Sequence, residues 1–194
     1  MATFGVRFVA RTRKIEANQV LDAAERVVER LGAAGLSIDA VAREAGISKS
    51  RVLYDHKSKT ALLEALIDRR LKAEMEKTRV AVEASRGTPH PELFGRIASA
   101  EQIPDRMDRA VMLAISAAVS SEEKLQRQMR DWTIDDMRAM EADTDRPRAA
   151  LMAYLALIGF YCIELFDFYS WDQAERHRLL DDIRTIFTSY REPE

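Results

Sequence analysis

A single cysteine, Cys162, stands among 194 residues, so no internal disulfide can brace the chain and a reducing compartment is expected. Glycine and proline are scarce, at 7 and 5, and the alternating β-branched pattern of strands is missing. An all-α chain follows. The longest stretch without a charge covers residues 149–163, short of the roughly 18–20 apolar residues that span a bilayer. The first fourteen residues carry Arg7, Arg11, Arg13 and Lys14, with no apolar segment or cleavage site of a secretion signal. A cytoplasmic location and no membrane partner are expected. No HExxH, CxxC, GxSxG or P-loop pattern occurs, and the three histidines, His56, His90 and His177, lie far apart. The acidic pairs Asp135-Asp136 and Asp181-Asp182 are sequence neighbours, which a helix turns about 100° apart. No catalytic residue, metal ligand or cofactor is therefore expected. At 47% hydrophobic and 32% charged residues, the composition also excludes disorder.

The net charge of −2 hides a division. Residues 1–60 hold 11 Lys and Arg against 7 Asp and Glu, so the head is basic and the remainder acidic. That asymmetry suits a DNA reader joined to a module that does not touch DNA. Apolar residues recur at helical spacing throughout. Ala17, Val20, Leu21, Ala24, Val27, Val28 and Leu31 make one stripe on a helix over residues 13–32. A Gly-Ala-Ala-Gly break, Gly32 to Gly35, follows, and Ser37 then caps a second helix that Gly46 ends. Ser48 caps a third helix over 49–56. Ser58 caps a long fourth one reaching about residue 85, where Gly87-Thr88-Pro89-His90-Pro91 makes the clearest break. Further helices are expected near 91–102, 105–120, 122–142, 146–170 and 172–191. Residues 1–60 read as a DNA-binding domain, and residues 61–194 as a ligand-binding and dimerisation domain.

Residues 37–59 meet the demands of a helix-turn-helix together. Ala42 is small where the second helix crosses the first, and Gly46 tolerates the positive φ of the turn. Val41, Ala45, Ile47 and Val52 form the wedge, and Ser48 caps the second helix. Lys49, Ser50, Arg51 and Tyr54 then lie along the face that meets a major groove. Arg51 suits a bidentate contact to guanine, and the Tyr54 hydroxyl suits a phosphate. Ser37, Ser48 and Lys59 stand at helix N-termini, where backbone N–H groups favour phosphate. Arg7, Arg11, Arg13 and Lys14 make either a minor-groove arm or a frayed tail.

Over residues 13–71 the chain resembles the tetracycline-repressor (TetR) family. That family's pattern reads Thr-x-x-x-Ile-Ala-x-x-Ala-Gly-Val-Ser-x-x-x-Leu-Tyr-x-His-Phe-x-Ser-Lys-Glu-x-Leu. Ser37, Val41-Ala42, Ala45-Gly46-Ile47-Ser48, Ser58-Lys59 and Leu62 match it. Two registers are open between them. Without a gap, Val52 takes the leucine, Leu53 replaces the tyrosine and His56 the phenylalanine. With one inserted residue, Leu53-Tyr54-Asp55-His56 matches Leu-Tyr-x-His, and the phenylalanine is lost. The kept spacing from Ile47 to Val52 favours the first. The resemblance implies three helices for DNA, six for ligand and dimerisation, and a homodimer.

The second module offers one helix, residues 149–169, whose apolar side chains wrap nearly its whole circumference. Such a helix is buried on all sides, by its own core and by a second subunit. Gly159, Ile163, Leu179, Ile183, Ile186 and Phe187 are the candidate interface. Met112, Ile115, Met129, Trp132, Met137, Tyr154, Ile158 and Tyr161 are candidates to line a pocket for a small apolar or amphipathic ligand. Glu164 and Asp167 read as rim or interface charges or as ligand contacts. The leading expectation is a dimeric repressor binding double-stranded operator DNA and released by ligand. The alternative is a helical dimer that binds small molecules or partners and carries a degenerate DNA-binding helix.

Overall fold

The structure is a computed structural model that describes residues 4–119, 123–142 and 144–191, and the side chains of these apart from residues 4–17, 33, 118, 119 and 124. Among the described residues the architecture is all-α, with nine helices and no strand. They are α1 (Phe4–Gly35), α2 (Ile38–Ala45), α3 (Lys49–Asp55), α4 (Lys59–Ala84), α5 (Pro91–Ser99), α6 (Arg106–Val119), α7 (Glu123–Glu141), α8 (Pro147–Leu165) and α9 (Gln173–Ser189). They form two compact units, Met1–Leu71 and Lys72–Glu194, which part inside α4.

In the first unit, α1 starts at Phe4, well before the expected position near Arg13. No proline interrupts residues 4–13, and the helix simply continues through them. Arg7, Arg11, Arg13 and Lys14 therefore sit on helical backbone and not on an extended or frayed arm; their side chains lie outside the described residues. The regular helix ends at Gly32, whose φ of 70° and ψ of 173° only glycine adopts readily. A Cβ at Gly35 would collide with the Leu31 side chain, so the break needs glycine at both ends. Leu31, expected on the buried stripe, is exposed at the last residue before this break. Val20, Ala24, Val27 and Val28 do face inward, and Leu36, Ile38, Val41, Val52, Leu62 and Leu66 are buried as well. Arg69 of α4 ties to α1 through Asp22 at 2.5 Å and Glu25 at 3.4 Å.

In the second unit α8 packs against α5, α6, α7 and α9. By length and composition α8 is long and apolar enough to cross a membrane. Its burial of Ala149, Ala150, Ala153, Tyr154, Leu157 and Phe160 in the unit's core is that of a core helix. It stops at Leu165, not near residue 170. The Phe168 N–H donates to the Ile163 carbonyl at 3.0 Å, and Asp167 takes a positive φ of 55°. This is a left-handed helix stop with aspartate where glycine is usual, so no glycine advertised it. His90 caps α5, its Nδ1 accepting from the Leu93 N–H at 3.2 Å and its Nε2 lying 3.0 Å from the Met140 carbonyl. Its ring meets Phe187 edge-on at 5.5 Å.

Candidate functional site

The helix-turn-helix is built from the turn outward. Ser37 Oγ accepts from the Ala40 N–H at 3.1 Å and starts α2. Gly46 closes it with φ 66° and ψ 28°, its N–H directed at the Ala42 and Arg43 carbonyls. The Ile47 N–H then donates to the Ala42 carbonyl at 3.0 Å, turning the chain into α3. Ser48 Oγ accepts from the Arg51 N–H at 3.2 Å and lies 3.0 Å from Ser50 Oγ. Val41, Ala42 and Val52 form the buried wedge; Ala45 is half-buried and Ile47 is 37% exposed, so neither closes the core as expected. Val52, fully buried, holds the leucine position of the ungapped register.

With Val52 inward, α3 turns other residues outward. Leu53 is half-buried, and Tyr54, one residue on, is 53% exposed. The Arg51 guanidinium lies 5.6 Å from the Tyr54 ring centroid, and Lys57 Nζ lies 5.4 Å from it. A hydroxyl-bearing ring with two cations near it suits a phosphate. Arg51 Nε also faces Asp55 Oδ2 at 3.6 Å. Lys49 is paired to Asp39 of α2 at 3.0 Å. Arg26 and Arg30 of α1 both bond Glu44, at 2.8 and 3.0 Å, which holds that carboxyl below its ordinary range. Lys59 Nζ donates to the Ala34 carbonyl at 3.3 Å, closing the glycine break.

Of the seven DNA-binding candidates, the structure gathers Ser48, Lys49, Ser50, Arg51 and Tyr54 along α3, while Ser37 caps α2 and Lys59 begins α4. Sequence reasoning passed over Lys57 and Asp55. Their signal is spacing, since Tyr54 and Lys57 are three residues apart and Arg51 and Asp55 four. His56 ends α3, its N–H bonded to Val52 and its ring half-buried with Nε2 lacking a hydrogen bond. Burial lowers its pKa, while the Asp55 charge works in the opposite direction.

In the second unit the proposed pocket residues differ in their burial and partners. Tyr154 donates to Asp136 Oδ2 at 2.7 Å, and Arg96 bonds Asp136 Oδ1 at 2.7 Å while lying over the Tyr154 ring. Burial, and then Asp136, raise the Tyr154 pKa. Burial also raises that of Tyr161, with Glu74, Asp108 and Glu164 adding to it. Ile115 is buried, and Met112, Met129, Trp132 and Met137 are half-buried. Ile158 is 40% exposed and belongs to an outward apolar stripe with Met152 and Leu155, not to the interior.

The interface candidates divide in the same way. Gly159 is exposed on that stripe, and Ile163, Leu179 and Ile186 are half-buried. Ile183 and Phe187 lie inside the unit's own core, Phe187 edge-on to His90 and Phe94. Glu164 does not lie on the rim. It pairs, buried, with Arg176 at 2.7 and 3.0 Å, and Arg176 also donates to the Ala100 and Glu101 carbonyls. Asp167 pairs with Arg109 at 3.3 Å.

Two family descriptions fit the chain. "Bacterial regulatory proteins, tetR family" covers residues 20–66, and "Tetracyclin repressor-like, C-terminal domain" covers residues 96–188. No curated protein matches the sequence. Among solved structures, a transcriptional regulator from Pseudomonas aeruginosa PAO1 superposes with a TM-score of 0.66 at 19% identity, over 89% of this chain and 90% of that one. A TetR-like regulator from Rhodococcus sp. RHA1 gives 0.60 at 19% identity, over 89% and 93%. The multidrug binding protein EbrR, complexed with proflavin, gives 0.55 at 22% identity, over 87% and 99%. At such identities the likeness to these structures speaks for the fold alone.

Proposed function

The chain belongs to the tetR family of bacterial regulatory proteins, and from that premise we propose a ligand-responsive homodimeric repressor acting on double-stranded operator DNA in the cytoplasm. Its membership makes it a DNA-binding transcriptional regulator and not an enzyme. The observation that carries the fuller reading is the α2–Gly46–α3 turn, with Arg51 and Tyr54 on the outward side of a helix whose inner side is Val52. Arg51 reads a guanine, Tyr54 and Ser50 meet the backbone, and the capped starts at Ser37, Ser48 and Lys59 sit at phosphates. Lys49 joins them by exchanging Asp39 for a phosphate. In this reading residues 1–60 bind DNA, and residues 61–194 bind ligand and the second subunit.

The outward stripe of α8, namely Met152, Leu155, Ile158 and Gly159, supports dimerisation. Contiguous apolar surface on a helix already buried on its other side marks an interface. Two copies place two recognition helices on successive major grooves, as two-fold operators require. Ligand then enters between α6, α7 and α8, near Met112, Ile115, Met129, Trp132, Met137, Tyr154 and Tyr161. The proflavin complex of EbrR supports a small organic ligand with an aromatic body. Such a ligand shifts the population of dimers toward a spacing that no longer fits DNA. The test is a mobility shift on DNA flanking the protein's own coding region, with proflavin as the first probe. A shifted band that proflavin or a related dye releases supports the reading, and a band that no small molecule in a broad panel releases counts against the inducible part of it.

A further inference from the structure

We propose that Asp55 is a positioning residue for DNA recognition, its carboxylate holding the Arg51 guanidinium in the orientation that reads a guanine. The inference rests on the base-reading role proposed for Arg51. Asp55 is the last residue of α3, the end of a helix where a negative charge is disfavoured. Its side chain is only 8% exposed, and its buried Oδ2 accepts no hydrogen bond. A carboxylate in that setting needs a nearby opposite charge, and Arg51 Nε, 3.6 Å away, is in ion-pair range.

Helix stability does not account for the pair. At a spacing of four, an acid placed before a base supports a helix better than the reverse order found here. In the ungapped register Asp55 stands where the family pattern has histidine. What the pair does is fix a long side chain. Arg51 is held at its Nε by Asp55 and over the Tyr54 ring at its Cζ. A guanidinium fixed before contact loses less freedom on docking, and its Nη1–Nη2 edge matches guanine O6 and N7. Tyr54 and Lys57 beside it supply the backbone contact, so one short segment carries both readout and anchoring.

The experiment starts from duplexes selected out of a randomised library by the full-length wild-type protein. Affinities are then measured by fluorescence anisotropy for the best duplex and for one with its required guanine changed in both half-sites. The ratio of the two affinities is the readout. It is taken on one preparation, so a loss of folded protein cancels. Asp55→Asn is expected to lower that ratio at least about fivefold, and Asp55→Glu to keep more of it than Asp55→Asn does. In an Arg51→Ala background, Asp55→Asn should change the ratio no further. A wild-type ratio in Asp55→Asn, with Arg51→Ala having lost it, overturns this inference alone. A wild-type ratio in Arg51→Ala overturns the base-reading role and the inference with it.

Discussion

Arg51 and His56 stand at opposite ends of what a single residue does in α3. Arg51 faces outward at the proposed DNA surface, so its loss should spare the fold. Arg51→Ala is expected to cost about 1–3 kcal/mol of binding to a selected operator and to relax preference at one base per half-site. Competition binding against single-base variants checks it. His56 works on the folded state itself. Its ring is half-buried, and burial depresses its pKa below the ordinary histidine value of about 6.5. The unfolded chain therefore takes up a proton that the folded chain resists. Stability from this residue is present above that ordinary value and declines as pH falls below it. Thermal melts at pH 8 and pH 5 should show a larger drop for wild type than for His56→Phe, which restores the family's apolar residue. Equal drops would remove His56 as the cause. The substitution was legible in the sequence as a departure. Its consequence was not, because burial of a ring at a helix end depends on tertiary packing and not on the residue's own neighbours in sequence.

Helix starts and stops show where sequence reading succeeds. Ser37, Gly46, Ser48 and Ser58 each do what their residue type announces, so α2, α3 and the start of α4 fall where expected. The end of α8 did not, because Asp167 takes a glycine's conformation. The start of α1 did not, because nothing in residues 4–13 marks a first turn. The inner and outer faces of α8 and α9 were the least legible. A helix apolar all round gives no stripe to read, and only the packing shows Ile158 facing outward and Phe187 inward. The Arg176–Glu164 pair was missed for a different reason. Twelve residues of sequence separate its members, and only the packing of α8 on α9 joins them. Arg176 also donates to the Ala100 and Glu101 carbonyls just past the end of α5. Removing one member should be expensive. Glu164→Leu or Arg176→Met alone is expected to cost about 3–5 kcal/mol, and the two together less than their sum. Urea unfolding of the three variants checks it, and an additive double variant would contradict the pairing.

At the scale of the whole molecule, the account requires two copies and linked sites. Leu155→Glu or Ile158→Glu should give a folded monomer that no longer binds operator, since each sits on the outward stripe of α8. Phe187→Ala should instead destabilise the second unit by about 3–5 kcal/mol, as loss of a buried aromatic does. Sedimentation velocity with circular dichroism separates the two outcomes. α4 is one unbroken helix through the point where the two units part, which makes it the proposed lever between them. A ligand acts through such a lever only by its differential affinity for two states, typically about 1–3 kcal/mol. The most direct measurement of the central claim is a titration of the wild-type protein into a labelled operator duplex, followed by anisotropy and sedimentation. Against it runs a scrambled duplex of equal length, with and without a ligand found by screening. The account predicts two chains, or a multiple of two, per duplex, tighter binding to the operator than to the scramble, and weaker operator binding when ligand is present. Equal affinity for operator and scramble, or one chain per duplex, would contradict it.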